Sequence, residues 1–545
     1  MSSTKRTLLL AAASVIALTG AQAAAQDSRS VDVITVTAQK REQGIQDVPV
    51  AVTAYNAELL QNAGVRDLKD LAVIAPGINV TSTSNEFVTT ARIRGIGTVG
   101  DNPGLESSVG IVIDGVPRAR NGVGFNDLGE LERIEVLRGP QGTLFGANTS
   151  AGIINVVTKR PEYEFSSHAE LEYVAGSEEG YGVAGGFTGG VSDNLAMRVF
   201  GAYRERDGFQ TVETFGGPRT EDRDGDQDYF TLRTQFLLDF SENVSLLLSA
   251  DYTKREEFCC GAPSLVSGPT AAAINALVPG ARPLAGSEDP FSRVIQANRD
   301  TGQNIIDHGY SGELNWEFDN FDMTAIVSDR SYSLRSGQDT DFTGADFRDA
   351  SNNTFDFDNT TLELRFSGEG ESVDWMFGMY YSDENLVRGD AIQMGNVFEP
   401  YLGLLGGSPT LVTDLANGLG FTFIPGFGGL APGSGAPLGG GNPLGDTFTQ
   451  QGESLSFFTH NTWHVLENTD ITFALRHTST DKEATFDFAD SSVPACDVWE
   501  AVFGDALDFS TPTNQAILNG FSTGSGVPVA SLVQFGTFTC LPFSR

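Results

Sequence analysis

The chain has 545 residues with 34 Lys and Arg against 71 Asp and Glu, a formal net charge of −37, which excludes a nucleic-acid partner because phosphates demand a basic face. A mean hydropathy of −0.13 and a 40% apolar fraction exclude a bundle of transmembrane helices. They leave room for a transmembrane β-barrel, whose alternating strands average near neutral, and four cysteines are too few for a disulfide scaffold and have no zinc spacing.

Lys5 and Arg6 precede an apolar run from Leu8 to Leu18, followed by small residues ending at Ala25. This is a secretory signal over residues 1–25, too short for a membrane-spanning helix. Residues 26–40 follow as a short segment in which Asp32–Ala38 reads Asp-Val-Ile-Thr-Val-Thr-Ala, an extended, β-branched peptide. From there to residue 161 short strands and helices alternate with many glycines. Ile134, Val136, Leu137, Ile153, Val156 and Val157 supply strand cores, and Gly139, Pro140 and Gly142 supply the chemistry of a tight reversal.

From about Phe165 the apolar period becomes two. Phe230, Leu232, Phe236 and Leu238 fall on one face, while Thr231, Arg233, Gln235 and Asp239 fall on the other. Eleven such strands are expected at 165–175, 180–190, 195–206, 228–240, 244–255, 306–318, 321–334, 356–367, 373–385, 453–466 and 470–482. A twelfth is conceivable at Ser531–Thr539. Every second connection is tiny, and the others run to roughly 20–70 residues after a first of about four, the pattern of short periplasmic turns and long outer loops. Phe240, Trp316, Phe318, Phe321 and Trp463 cluster beside the short turns, where an aromatic girdle would lie. The expected fold is an all-β transmembrane barrel over residues 162–545, preceded by a small α+β domain over 41–161.

Three stretches carry a resemblance: Arg-Ile-Arg-Gly-Ile-Gly-Thr at Arg92–Thr98, Val-Gly-Ile-Val-Ile-Asp-Gly-Val-Pro at Val109–Pro117, and Leu131–Pro161 with its Leu-Arg-Gly-Pro-Gln-Gly core. They resemble the plug domain of TonB-dependent outer-membrane receptors of Gram-negative bacteria, with one departure at Asn148–Thr149–Ser150. The resemblance implies active import of a scarce, bulky nutrient, ferric siderophore first and saccharide, heme or cobalamin as alternatives. A binding-only surface receptor or adhesin is the reading from another class. The implied partners are TonB with its inner-membrane energising complex, outer-membrane lipid and an extracellular small-molecule ligand. Asp32, Val33, Ile34, Thr35, Val36, Thr37 and Ala38 match the coupling box, which would add as a strand to a partner's sheet edge. Arg94, Gly95, Asp114, Gly115, Arg138, Gly139, Pro140 and Gly142 match the plug motifs. Arg94 and Arg138 are expected to pair with wall glutamates, Glu363 being the candidate. Barrels of the family have 22 strands, so eleven or twelve imply the N-terminal part of a longer receptor, unable to insert by itself.

Other signals are weaker. Gly95–Gly100 spells GxGxxG, but the turn residues Asp101–Gly104 follow where a nucleotide site needs a helix. His460 and His464 are about 13 Å apart on a strand, too far for one ion. Asp222, Asp224, Asp226 and Asp228 lack the Gly and Glu of a calcium loop and read as a solvated acidic loop. The pairing of Cys259, Cys260, Cys496 and Cys540 stays open, with Cys496–Cys540 a plausible staple. Outer aromatics (Phe258, Phe342, Phe347, Tyr401, Phe421, Phe423, Phe427) are candidate ligand contacts, or pack their own loops. No catalytic arrangement, metal or cofactor is assigned.

Overall fold

In a computed structural model, which describes residues 35–401 save for scattered positions, 446–487 and 510–525, the chain begins with a small mixed domain. Its strands are β1 (Thr35–Val36), β2 (Gln43–Gly44), β3 (Val52–Asn56), β4 (Ile78–Thr81), β5 (Thr90–Ile93), β6 (Val109–Ile113), β7 (Val116–Arg118), β8 (Leu131–Arg138) and β9 (Gly152–Thr158). Five of them form a sheet in the order β3-β8-β9-β6-β7, in which only β6 and β9 run parallel.

The two apolar faces of β8 and β9 explain their almost unbroken hydrophobic sequence. Ile134, Val136, Ile154 and Val156 pack under Leu60, Leu68 and Leu71 from the helical segments, while Leu137 and Ile153 pack against Val36, Ala38 and Val48. Asn56 starts the helix Ala57–Asn62, its side chain accepting the Leu59 N–H at 3.0 Å. Asp114 and Gly115 both take positive φ (49° and 78°) between β6 and β7, a two-residue reversal that suits Asp-Gly. Ile154 is fully buried, so Ile154→Ala should cost about 2–5 kcal/mol. Protease protection of the plug in denaturant titrations measures it.

The wall follows: β10 (Ser166–Val174), β11 (Gly180–Ser192), β12 (Leu195–Arg206), β13 (Gln210–Glu213), β14 (Arg223–Asp224), β15 (Gln227–Ser241), β16 (Val244–Phe258), β17 (Val294–Gln296), β18 (Gly302–Glu317), β19 (Asp322–Asp339), β20 (Arg348–Gly368), β21 (Val373–Asp390), β22 (Ile392–Met394), β23 (Asp446–Leu466) and β24 (Thr469–Asp487). Eleven of these pair antiparallel in chain order, β10-β11-β12-β15-β16-β18-β19-β20-β21-β23-β24, with β22 added beside the end of β20. All eleven expected strands are present, and several extend further at their outer ends. Apart from Val533, Ser531–Thr539 lies outside the described residues, as does most of Phe398–Gly445. A helix at Pro512–Ser525 falls within residues 162–545, for which an all-β barrel was expected.

The two faces separate as the alternation requires. On β15, Phe230, Leu232 and Phe236 are exposed, whereas Tyr229, Thr231 and Gln235 are buried against the plug side. Trp316, Phe318, Phe321 and Trp375 form a chain of ring contacts (4.6, 4.5 and 6.4 Å) beside the short turns. An exposed apolar band with an aromatic rim is the surface that lipid covers. Among the described residues the sheet is open: β10 pairs only with β11, and β24 only with β23. Being eleven antiparallel strands, it also ends on a strand that runs in the same direction as its first.

Candidate functional site: the coupling segment and the plug–wall seam

Thr35–Ala38, the described half of the predicted coupling box, is docked. β1 pairs with β2, and Val36 and Ala38 are buried in the lower plug cluster. Between them, the Thr37 N–H donates to Glu135 Oε1 at 2.8 Å, and Asn155 Nδ2 donates to both Thr37 Oγ1 and Glu135 Oε2 at 3.1 Å. Glu135 is completely buried and also accepts from Arg133 Nε at 2.8 Å, so its charge is matched in place. Asp32, Val33 and Ile34 lie outside the described residues.

Immediately after the box the chain is tied to the wall. Lys40 Nζ meets Glu363 at 2.5 Å, and Arg365 Nη1 reaches the same carboxylate at 2.9 Å. Lys40 also lies over the rings of Phe145 and Phe458 at 5.2 and 5.4 Å. The Arg41 guanidinium donates to the Trp375 carbonyl. Burial pushes the Lys40 amine down from its ordinary 10.5 to about 8, partly offset by Glu363. Between those two values the undocked segment therefore binds more protons than the docked one. Docking should tighten as pH rises from about 8 to 10.5 and stay flat below that window. The mobility of a nitroxide spin label at the exposed position 35, read by electron paramagnetic resonance against pH, should fall across it, and Lys40→Met should abolish the slope.

The arginines expected to make these wall contacts do not. Among the described residues neither Arg94 nor Arg138 has an ion pair, and Glu363 is held by Lys40 and Arg365 instead. The reason is local geometry. Arg94 and Gly95 share a positive-φ reversal (54° and 80°) whose N–H is spent on the Gly77 carbonyl, leaving the Arg94 side chain exposed. Arg138 closes β8, its N–H bonded to the Ala51 carbonyl, ahead of Gly139 at φ 92°. Gly142 opens the short helix Gly142–Phe145, and Asp114 accepts from both N–H and Oγ1 of Thr158 at 2.8 and 2.7 Å. The departure at Asn148 is accommodated: it takes φ 67°, which asparagine tolerates, and donates to the Ala119 carbonyl at 3.0 Å.

Other plug residues grip the wall. Arg120 pairs with Glu384 at 2.6 Å, Arg160 with Glu313 at 3.0 Å, and Arg66 with Glu172 at 2.8 Å. Nothing in the sequence marked these arginines, because wall register decides which glutamate each one faces. Higher in the seam Phe87 stacks on Phe355 at 4.9 Å within an apolar cluster that includes Val88, Tyr332, Phe357 and Leu386. Lower down, a polar cavity of about 420 Å³ lies between the coupling segment and the wall, lined by Lys40, Arg41, Arg133, Arg160, Glu313 and Glu363.

The outer loops form their own small fold. β13 pairs with β14 and β17, and Arg219, buried there, donates to Asp224 at 3.2 Å and to Thr301 Oγ1 at 2.7 Å. Asp224 is thus no solvated loop residue but a buried anchor, and burial raises Asp226 to about 6. Phe347 packs edge-on against Tyr401 (4.8 Å) and Phe258 lies under Arg219 (5.7 Å), so these aromatics hold their own loops; Phe421, Phe423 and Phe427 lie outside the described residues. His460 is buried on the inward face, while His464 meets Asp470 and Asp374 at a short turn. After Gly100 the next element is the strand β6, so no helix completes a nucleotide motif. Cys259 and Cys260 are bonded to each other, and Cys496 and Cys540 lie outside the described residues.

A compact domain ion-paired to the inner face of an antiparallel wall whose outer face is apolar is the arrangement of a plugged outer-membrane barrel. Residues 44–153 match the family model for the TonB-dependent receptor plug domain. The iron-regulated outer membrane virulence protein of Vibrio cholerae is 31% identical over 213 residues, 36% of this chain and 31% of that protein. The pesticin receptor of Yersinia enterocolitica is 30% identical over 181 residues (33% and 26%), and the vitamin B12 transporter of Vibrio vulnificus 28% over 190 (34% and 30%). Among solved structures, the ferric yersiniabactin uptake receptor of Yersinia pestis superposes with a TM-score of 0.57 at 18% identity, covering 80% of this chain and 61% of that one. The pyoverdine receptor of Pseudomonas aeruginosa bound to pyoverdine gives 0.60 at 16%, covering 84% and 61%; these likenesses show a shared fold. Residues 44–153 are thus a plug domain of the TonB-dependent receptor kind, followed by a wall that shares the fold of outer-membrane receptors. The chain's matches span about a third or less of the curated relatives' length, and it covers 61% of these two solved chains.

Proposed function

We propose that these residues form the plug and the first part of the wall of a receptor that imports a ferric chelate, driven by TonB pulling on Asp32–Ala38. The observation that carries this is the docked coupling segment. Its described half is bonded to the buried Glu135 of the central plug strand, and Lys40 ties its end to Glu363 on the wall. Tension on such a segment is delivered at once to the plug core and to the plug–wall contact, beside the polar cavity through which cargo would leave. Hydrogen bonds to a partner strand would carry the load, since they act in shear along the whole segment. The exposed pairs of the seam, such as Arg66 with Glu170, are worth only about 0–1 kcal/mol each, so resistance to the pull falls on the buried Lys40–Glu363 pair.

Ferric chelates are favoured as cargo by the relatives, which include an iron-regulated protein and uptake receptors for ferric yersiniabactin and pyoverdine. Cobalamin is the second reading, favoured by the vitamin B12 transporters among them. Paired uptake assays with iron-labelled siderophores and labelled cobalamin separate the two. Iron accumulation that depends on this receptor supports the first, and cobalamin accumulation alone replaces it with the second. Surface binding with no accumulation of either would leave a binding-only receptor.

A further inference from the structure

Where β16 leaves the wall, an outer loop turns in and touches the apex of the plug. Glu86 opens the short helical turn Glu86–Val88 there and is buried. Its Oε1 lies 3.6 Å from Cys259 Sγ, and one ligand atom each from Glu86, Cys259 and Cys260 lie within 4.8 Å of one another. The backbone around the cysteines is fixed on both sides. The Cys259 N–H donates to the Thr301 carbonyl at 3.1 Å, and the Gly261 N–H donates to Asp224 Oδ1 at 3.2 Å. Glu86 is fixed too, by Lys69 at 2.6 Å, and its own N–H donates to Gln303 at 3.3 Å. Both cysteines are only partly buried, so an ion can reach them from the loop side.

We propose that Cys259, Cys260 and Glu86 form a thiophilic cation site, available when the cysteine pair is reduced. As described, the two sulfurs are bonded to each other. Opening that bond takes two electrons and two protons and gives two thiols: a phosphine supplies the electrons and becomes its oxide, with water giving the oxygen and both protons, whereas a dithiol supplies electrons and protons and becomes a disulfide. A divalent ion such as Zn²⁺ or Cd²⁺ then displaces both thiol protons and takes two thiolates and one carboxylate, leaving a fourth position for water. The charges support this assignment. Glu86 and Lys69 cancel in the oxidised form; in the loaded form two thiolates and one carboxylate cancel the ion and Lys69. Loading therefore adds no net charge beside the buried Glu86, as a low-dielectric setting requires. The ion would then bridge the plug and an outer loop.

The test uses receptor purified in detergent, with Cys496 and Cys540 replaced by serine, and Cd²⁺ as probe, read by the thiolate-to-cadmium charge-transfer absorption. After phosphine reduction one equivalent should bind, with none before reduction and none in Cys259→Ser or Cys260→Ser. Glu86→Gln, which keeps the side-chain shape, should weaken binding at least about tenfold, the least expected when a metal site loses a supporting group. The same titration in concentrated urea distinguishes a built site from two neighbouring thiols. Equal affinity in urea, or full affinity in Glu86→Gln, would overturn the proposal.

Discussion

Ile34→Pro in the receptor should abolish uptake of the labelled chelate while leaving ligand binding at the cell surface unchanged. Proline removes the residue-34 N–H and fixes φ, which breaks a strand that must pair along its length with a partner. On the proposed reading the ligand is met by the outer loops, at the opposite end of the wall from the segment's partner. The described pairing of the segment begins at Thr35, so the docked contacts of Val36, Thr37 and Lys40 should survive. Deleting Asp32–Ala38 should give the same loss of uptake. If accumulation persists in both variants, the segment does not drive transport.

The second large effect concerns the wall. Residues 26–487, which end with β24, should not yield a heat-modifiable outer-membrane species when expressed alone. Among the described residues, β10 and β24 each have one unpaired edge. In lipid every unsatisfied backbone group costs several kcal/mol, which no surface ion pair offsets. Parity sharpens the point, because eleven alternating strands begin and end in the same direction and cannot close antiparallel on themselves. Two copies fare no better: the last strand of one would lie parallel to the first of the next. Closure needs an odd number of further strands, in keeping with the even counts of bacterial barrels. Semi-native electrophoresis of the membrane fraction, with and without heating, reads the result. A stable heat-sensitive band from these residues alone would contradict it.

The wall was legible in the sequence where lipid imposes alternation. The strand 195–206 was read to the residue, and all eleven strands were found. Their outer ends were read short. In Asp446–Gly452, for example, Phe448 is the one apolar side chain, and no period of two survives beyond the apolar band. The coupling segment was legible as an extended peptide, but its docking was not. Glu135 is 98 residues away from Thr37, and an acid inside a strand core gives no sign of what it will hold. Glu363 was correctly placed on the inward face and given the wrong partners. Pairing across the seam depends on how the plug is rotated in the wall, which no local pattern encodes. Asp224 misled for the same reason: Thr301, 77 residues on, and Arg219 make it a buried anchor.

On the proposed mechanism, the segment after the coupling box must leave the wall for cargo to pass. Lys40 and Glu363 reach each other only through long side chains, so cysteines in their places suit a spacer better than a direct bond. In a receptor carrying Lys40→Cys and Glu363→Cys, a bis-methanethiosulfonate spacer should stop uptake while surface binding continues, and reductant should restore it. Uptake that continues at full rate through the bridged receptor would contradict the account.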